Sequence, residues 1–172
     1  MKTTFAILVI AGVSMFAACP SDASAQEWKK HHYLVDNFEV EFSGPVQVTA
    51  QSIGARQKVV RSTLYLQDSG SYAYSVGAQL NSSGVGVDLG PAAAGSFAVY
   101  GCKKVDDREL AFAGARAKEL NGDQCLGGTF RARARHFAKN DWYYTVTYLV
   151  KIDEGDTSAA DRFLQSFKIG QN

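Results

Sequence analysis

The chain has 172 residues, 46% of them hydrophobic, with 18 Lys and Arg against 17 Asp and Glu and a net charge of +1. So even a balance excludes the global basic field of a nucleic-acid binder and the acidic tail of a cation store. The length suits one hydrophobic core and one domain.

The first residues read as a secretory signal. Lys2 supplies a basic start, Phe5 to Ala18 is apolar, and Ala23 and Ala25 make an A-x-A cleavage pattern, which divides the chain into a signal over 1–25 and a domain over 26–172. The apolar stretch is shorter than the roughly 20 residues that span a bilayer, and no later one is long enough, so no transmembrane segment is expected. Phe16-Ala17-Ala18-Cys19 offers an alternative, since it approximates the bacterial lipoprotein box and would anchor the chain through Cys19. Cleavage after Ala25 removes one Lys and one Asp, so the net charge is unchanged. It leaves Cys102 and Cys125, which in an exported chain read as a disulfide contributing about 3 kcal/mol through loop closure. A redox or metal role is the alternative, but no C-x-x-C and no ligand-spaced histidine accompanies the pair.

Gln26 to Val35 is charged and aromatic without a period and reads as a leader that docks late or frays. Its adjacent His31 and His32 point to opposite sides of an extended chain, so they do not readily chelate one metal ion together. Phe38 to Phe42 alternates as a strand and stops at Ser43-Gly44-Pro45. Gln47 to Ser52 is at best β-prone. Lys58 to Leu66 and Tyr72 to Leu80 flank Gln67 to Ser71 as a hairpin. Asn81 to Gly90 reads as a glycine-rich loop whose spacing matches no phosphate cradle. Pro91 then opens a short helix over 92–100, weakened by Gly95. Arg108 to Phe112 and Ala115 to Leu120 are strands around Gly114, with a turn at Asn121-Gly122, and Gly127-Gly128 opens the next hairpin.

That hairpin, Thr129 to Val150, has the clearest periodicity. Arg131, Arg133 and Arg135 alternate with Ala132, Ala134 and His136, and Tyr144, Val146, Tyr148 and Val150 alternate with Tyr143, Thr145, Thr147 and Leu149. A three-residue loop, Lys139-Asn140-Asp141, sets the arginines opposite the threonines on a polar outer face; an even loop reverses this. After a loop at Asp153 to Asp156, Ser158 and Asp161 resemble a capping box, and Ala160, Phe163, Leu164 and Phe167 form one apolar helical stripe. That stripe should pack on the face carrying Tyr144, Val146 and Tyr148. The fold class is α+β: an antiparallel sheet with a C-terminal helix and one short middle helix packed on it.

Four segments, Phe38 to Pro45, Arg108 to Gly114, Arg131 to Tyr144 and Ala160 to Lys168, follow F-x-V-x-F-x-G-x-P, R-E-x-x-F-x-G, R-x-R before Y-x-V/L, and A-x-x-F-L-x-S-F-K. In these the chain resembles small exported bacterial proteins of unknown function and, through them, the PsbP-like α/β/α sandwich. It departs by one residue at Ser43-Gly44-Pro45 and by its cysteine pair. The resemblance implies that sandwich fold and, by analogy with extrinsic subunits that dock onto larger assemblies, partner binding. It brings no catalytic residues.

No G-x-S-x-G, H-E-x-x-H or calcium-loop spacing is present, and no catalytic residue, metal or cofactor is assigned. Among the Ala and Tyr side chains of its face, His136 reads as a hydrogen-bonded structural histidine. The feature with a functional reading is the row Arg131, Arg133, Arg135, able to receive an acidic protein partner or an anionic ligand, with Tyr143 beside it to stack. Its alternative is a charged face that keeps a sheet soluble. The expected function is a periplasmic or secreted non-catalytic accessory protein. A small hydrolase with a site assembled from distant residues is the other class. Intact-mass measurement of the exported protein should show Gln26 as its first residue, and palmitate incorporation at Cys19 would show the lipoprotein instead.

Overall fold

A computed structural model of the chain describes residues 27–50, 59–82, 86–112, 114–154 and 157–170. The expected signal, Cys19, and parts of the loops expected at 81–90 and 153–156 lie outside the described residues. Among the described residues ten strands and two α-helices follow in the order β1 (Lys29–Tyr33), β2 (Phe38–Phe42), β3 (Gln47–Ala50), β4 (Val59–Asp68), β5 (Tyr72–Asn81), α1 (Leu89–Ala98), β6 (Lys104–Phe112), β7 (Ala115–Cys125), β8 (Phe130–Lys139), β9 (Trp142–Lys151), α2 (Thr157–Ser166) and β10 (Lys168–Ile169). Seven strands form one antiparallel sheet, β3-β4-β5-β9-β8-β7-β6, and the other three form a small one, β1-β2-β10.

The large sheet is covered on both faces. On one lie α2 and the small sheet, where Phe38, Val40 and Phe42 from β2 and Phe163, Leu164 and Phe167 at α2 and its end bury against Tyr74, Val76, Tyr144, Val146 and Tyr148. The apolar stripe of the closing helix therefore docks where its periodicity placed it. Aromatic rings knit these layers together, with Phe42 and Phe163 centroids 5.5 Å apart and Phe137 and Phe167 at 4.9 Å. On the other face α1 sets Ala93 and Phe97 against Leu120, Ala132 and Ala134. The result is an α+β fold of antiparallel sheets and two helices.

Several expectations are corrected. The segment read as a fraying leader is strand β1, paired along its length with β2. Its Trp28 packs edge-on against Tyr74, so apolar burial holds it down. The middle helix starts at Leu89, which is buried beside Ala138 and Tyr143, and not at residue 92. α2 begins at Thr157, so Ser158 lies inside its first turn, and the Asp161 carboxylate is taken by Arg133 instead of completing a capping box.

Asn121-Gly122 is no turn, since both residues lie within β7. Gly122 is there for proximity: a Cβ on it would stand 2.9 Å from Phe97 Cε1 and 2.9 Å from Cys102 Cβ. The chain turns at Gly114, with φ of +70°. The Cys102–Cys125 disulfide, S–S 2.03 Å, ties the segment after α1 to the end of β7.

The β8-β9 hairpin closes through two residues, Asn140 and Asp141, since Lys139 pairs directly with Trp142. Asn140 takes the left-handed conformation expected of it, with φ of 52°. The loop is thus even. Arg131, Arg133 and Arg135 stand opposite Val150, Tyr148 and Val146, and the alanines stand on the side facing α1. Small side chains there let the helix approach closely, which an arginine row would prevent.

Gly122→Ala should cost about 1–3 kcal/mol in urea denaturation, because the added methyl has no room between Phe97 and Cys102. Gly95→Ala, into open space on α1, should stabilise by up to about 1 kcal/mol.

Candidate functional site

The two-residue turn brings the arginines of β8 to the α2 side of the sheet, beside Glu119 of β7 and Arg108 of β6. Glu119 pairs across strands with both Arg135 and Arg108. Its carboxylate, 1% exposed, accepts from Arg108 Nη2 at 2.6 Å and Nε at 3.0 Å, from Arg135 Nε at 2.8 Å, and from Arg133 Nη2 at 3.3 Å. Burial pushes the Glu119 pKa upward, but the Arg135 and Arg108 hydrogen bonds and the Arg133 charge outweigh it and hold the group down at about 2.

The same arginines dock α2. Arg133 Nη1 donates to Asp161, and Arg135 Nη1 donates to the Leu164 carbonyl at 3.0 Å. Two of the three arginines expected on an outer face are therefore held inside an ion cluster. Arg131 differs, as its side chain is 52% exposed and its Nε meets Asp123 at 3.5 Å. It stands at a cleft of about 350 Å³ whose walls include Arg133, Tyr148 and Val150 from the sheet and Ala160 from α2, with Asp106 and Asp123 also lining it.

Tyr143 does not join this row. It lies on the α1 face, buried, with its hydroxyl 2.9 Å from His136 Nδ1 and 3.1 Å from Ser96 Oγ. Adjacent residues on a strand face opposite ways, so Tyr143 and the arginines cannot line one site. Ser96, His136 and Tyr143 form a polar trio that no spacing in the sequence announced.

The trio's geometry does not activate the serine. Ser96 Oγ is 3.4 Å from Nδ1, the same nitrogen that Tyr143 approaches, and Oγ donates to the Ala93 carbonyl. Burial, assisted by the Lys118 charge, lowers the His136 pKa to about 4, leaving a weak base. His136 is a hydrogen-bonded core histidine, as its surroundings implied. Among the described residues no group of three His, Cys, Asp or Glu side chains is arranged to hold a metal ion.

No family model matches the chain, and no curated protein matches it. Among solved structures it is similar to the solution structure of the cyanobacterial PsbP protein CyanoP from Synechocystis sp. PCC 6803, with a TM-score of 0.55 and 15% sequence identity over 90% of this chain and 98% of that one. The likeness establishes a PsbP-like fold. No helix among the described residues is long and apolar enough to cross a membrane.

Glu119→Ala should cost roughly 3–5 kcal/mol, because it takes from the mostly buried Arg133 and Arg135 guanidinium groups the carboxylate they share. The Glu119 pKa is depressed in the fold, so its stabilisation is present above the ordinary value of 4.5 and is lost as pH falls to about 2. The stability gap between wild type and Glu119→Gln, measured by denaturant titration at successive pH values, should narrow across that window.

Proposed function

We propose that the protein is an exported, non-catalytic accessory protein that binds an acidic partner at the Arg131 cleft, working in the periplasm or outside the cell. The observation carrying this reading is the contrast within the arginine row. Arg133 and Arg135 are committed to Glu119, Asp161 and the α2 backbone, whereas Arg131 presents its guanidinium at the cleft mouth. Its ion pair with Asp123 is long and solvated, and such pairs contribute at most about 1 kcal/mol. A partner carboxylate can take the place of Asp123 at little cost and gain a bidentate contact.

Export is supported by the A-x-A pattern and by the Cys102–Cys125 disulfide, a bond suited to an oxidising compartment. The PsbP-like fold supports docking onto a larger assembly by analogy. Tagged protein recovered from its native extract should bring down a partner that Arg131→Glu loses at unchanged melting temperature. Binding should weaken as salt rises, since exposed charges are screened over about 8–10 Å near physiological ionic strength. Retention of every partner by Arg131→Glu would remove the cleft from the reading.

A further inference from the structure

Leu34 and Val35, in the turn Leu34–Asp36 between β1 and β2, are 86% and 72% exposed, whereas the next residue, Asp36, is buried. This exposure does not come from a loosely held loop. Arg61 Nη2 lies 2.7 Å from Asp36 Oδ1 and also donates to the Val35 carbonyl. The Tyr65 hydroxyl donates to Asp36 Oδ2, the Tyr144 hydroxyl donates to the Asp36 carbonyl at 3.0 Å, and Asn37 closes the turn with φ of 55°. A buried network thus presents two aliphatic side chains to solvent.

Their neighbours are of two kinds. On one side a cleft of about 320 Å³ runs past Leu34, Val35, Leu80 and Trp142. The Trp142 ring stacks on Tyr144 with centroids 5.5 Å apart and has the Arg61 guanidinium 5.5 Å over its centre. On the other side Leu34 borders a second cleft shared with Lys168 and Glu39. Lys30 and Lys168 lie 3.6 and 3.3 Å from the single Glu39 carboxylate, so cations exceed anions there. Lys139 reaches the same end through the Gly170 carbonyl, at 3.0 Å. Asp36 is balanced by Arg61, and Asp141 is an acidic group that lines the Trp142 cleft.

We propose that this end of the molecule binds an anionic membrane surface, with Leu34 and Val35 entering the acyl boundary, Trp142 at headgroup level, and Lys30, Lys139 and Lys168 against lipid phosphates. An exposed apolar pair, an amphipathic ring beside it and flanking lysines are what an interfacial lipid contact requires. A protein partner would have to supply a pocket for a knob this exposed. The contact is independent of the Arg131 cleft, because Arg131 stands at one end of β8 and the Asn140-Asp141 turn, with Trp142, at the other.

The test uses protein spanning 26–172, which contains every element described. It should sediment with phosphatidylglycerol–phosphatidylethanolamine vesicles and about tenfold less with phosphatidylcholine vesicles. Leu34→Ser combined with Val35→Ser should weaken binding to the anionic vesicles about tenfold or more at unchanged melting temperature. In a Trp28→Phe background, Trp142 emission should move to the blue on binding. Arg131→Glu should bind these vesicles as wild type does, which separates this contact from the cleft. Absence of sedimentation with anionic vesicles, equal sedimentation with neutral ones, or full binding by the serine variant would overturn the proposal. So would a dimer in analytical ultracentrifugation that depends on Leu34 and Val35.

Discussion

Removing a carboxylate from water costs several kcal/mol, and at Glu119 the cost is offset by guanidinium groups from neighbouring strands and by hydrogen bonds filling both oxygens. The arrangement depends on which side of the sheet β8 turns its charges toward, and Asn140-Asp141 decides that. One residue more in this turn would exchange the two faces of β8 relative to β9. Arginines would then crowd under α1, Glu119 would lose partners, and α2 would lose the Arg133 contact to Asp161 and the Arg135 contact to the Leu164 carbonyl. The ion cluster therefore locates the closing helix as well as neutralising a buried charge.

The two faces reach close packing by different means. Under α2 and the small sheet the volume is filled by large rings, including Phe42, Tyr74, Tyr144, Phe163 and Phe167. Under α1 it is emptied, with Ala93, Ala132 and Ala134 at the contact and Gly122 admitting the disulfide and Phe97. The first face gains stability through aromatic area, and the second through a near approach that tolerates no added methyl at Gly122.

What could be read from the chain follows this division. Local patterns fixed the β4-β5 and β8-β9 hairpins, the apolar stripe of α2 and the cysteine pair, because each is carried by neighbouring residues. The arginine alternation showed that the three share a face but not which one, since a period of two is silent about register and the turn differed by a single residue. Glu119 gave no signal in Ala117-Lys118-Glu119-Leu120, as its partners Arg133 and Arg135 come from the next strand. The Ser96, His136 and Tyr143 trio and the Leu34–Asp36 platform were hidden for the same reason. β10, from Lys168 to Ile169, is too short to carry any period.

That shortest strand has a further consequence. β10 pairs with β2, and just before it Ser166 accepts from the Glu41 backbone N–H across 125 residues of sequence. Contacts of such separation form slowly, because a long loop must close before they reward it. The edge of β2 facing β10 has no partner until Lys168 and Ile169 arrive, so this layer cannot close before α2 and β10 have been made. A nascent chain carries Phe38, Val40 and Phe42 uncovered by α2 while every strand from β3 to β9 is being made. Its window of vulnerability to aggregation therefore lasts until that segment has emerged, and a chain truncated before Lys168 would keep this edge of β2 open.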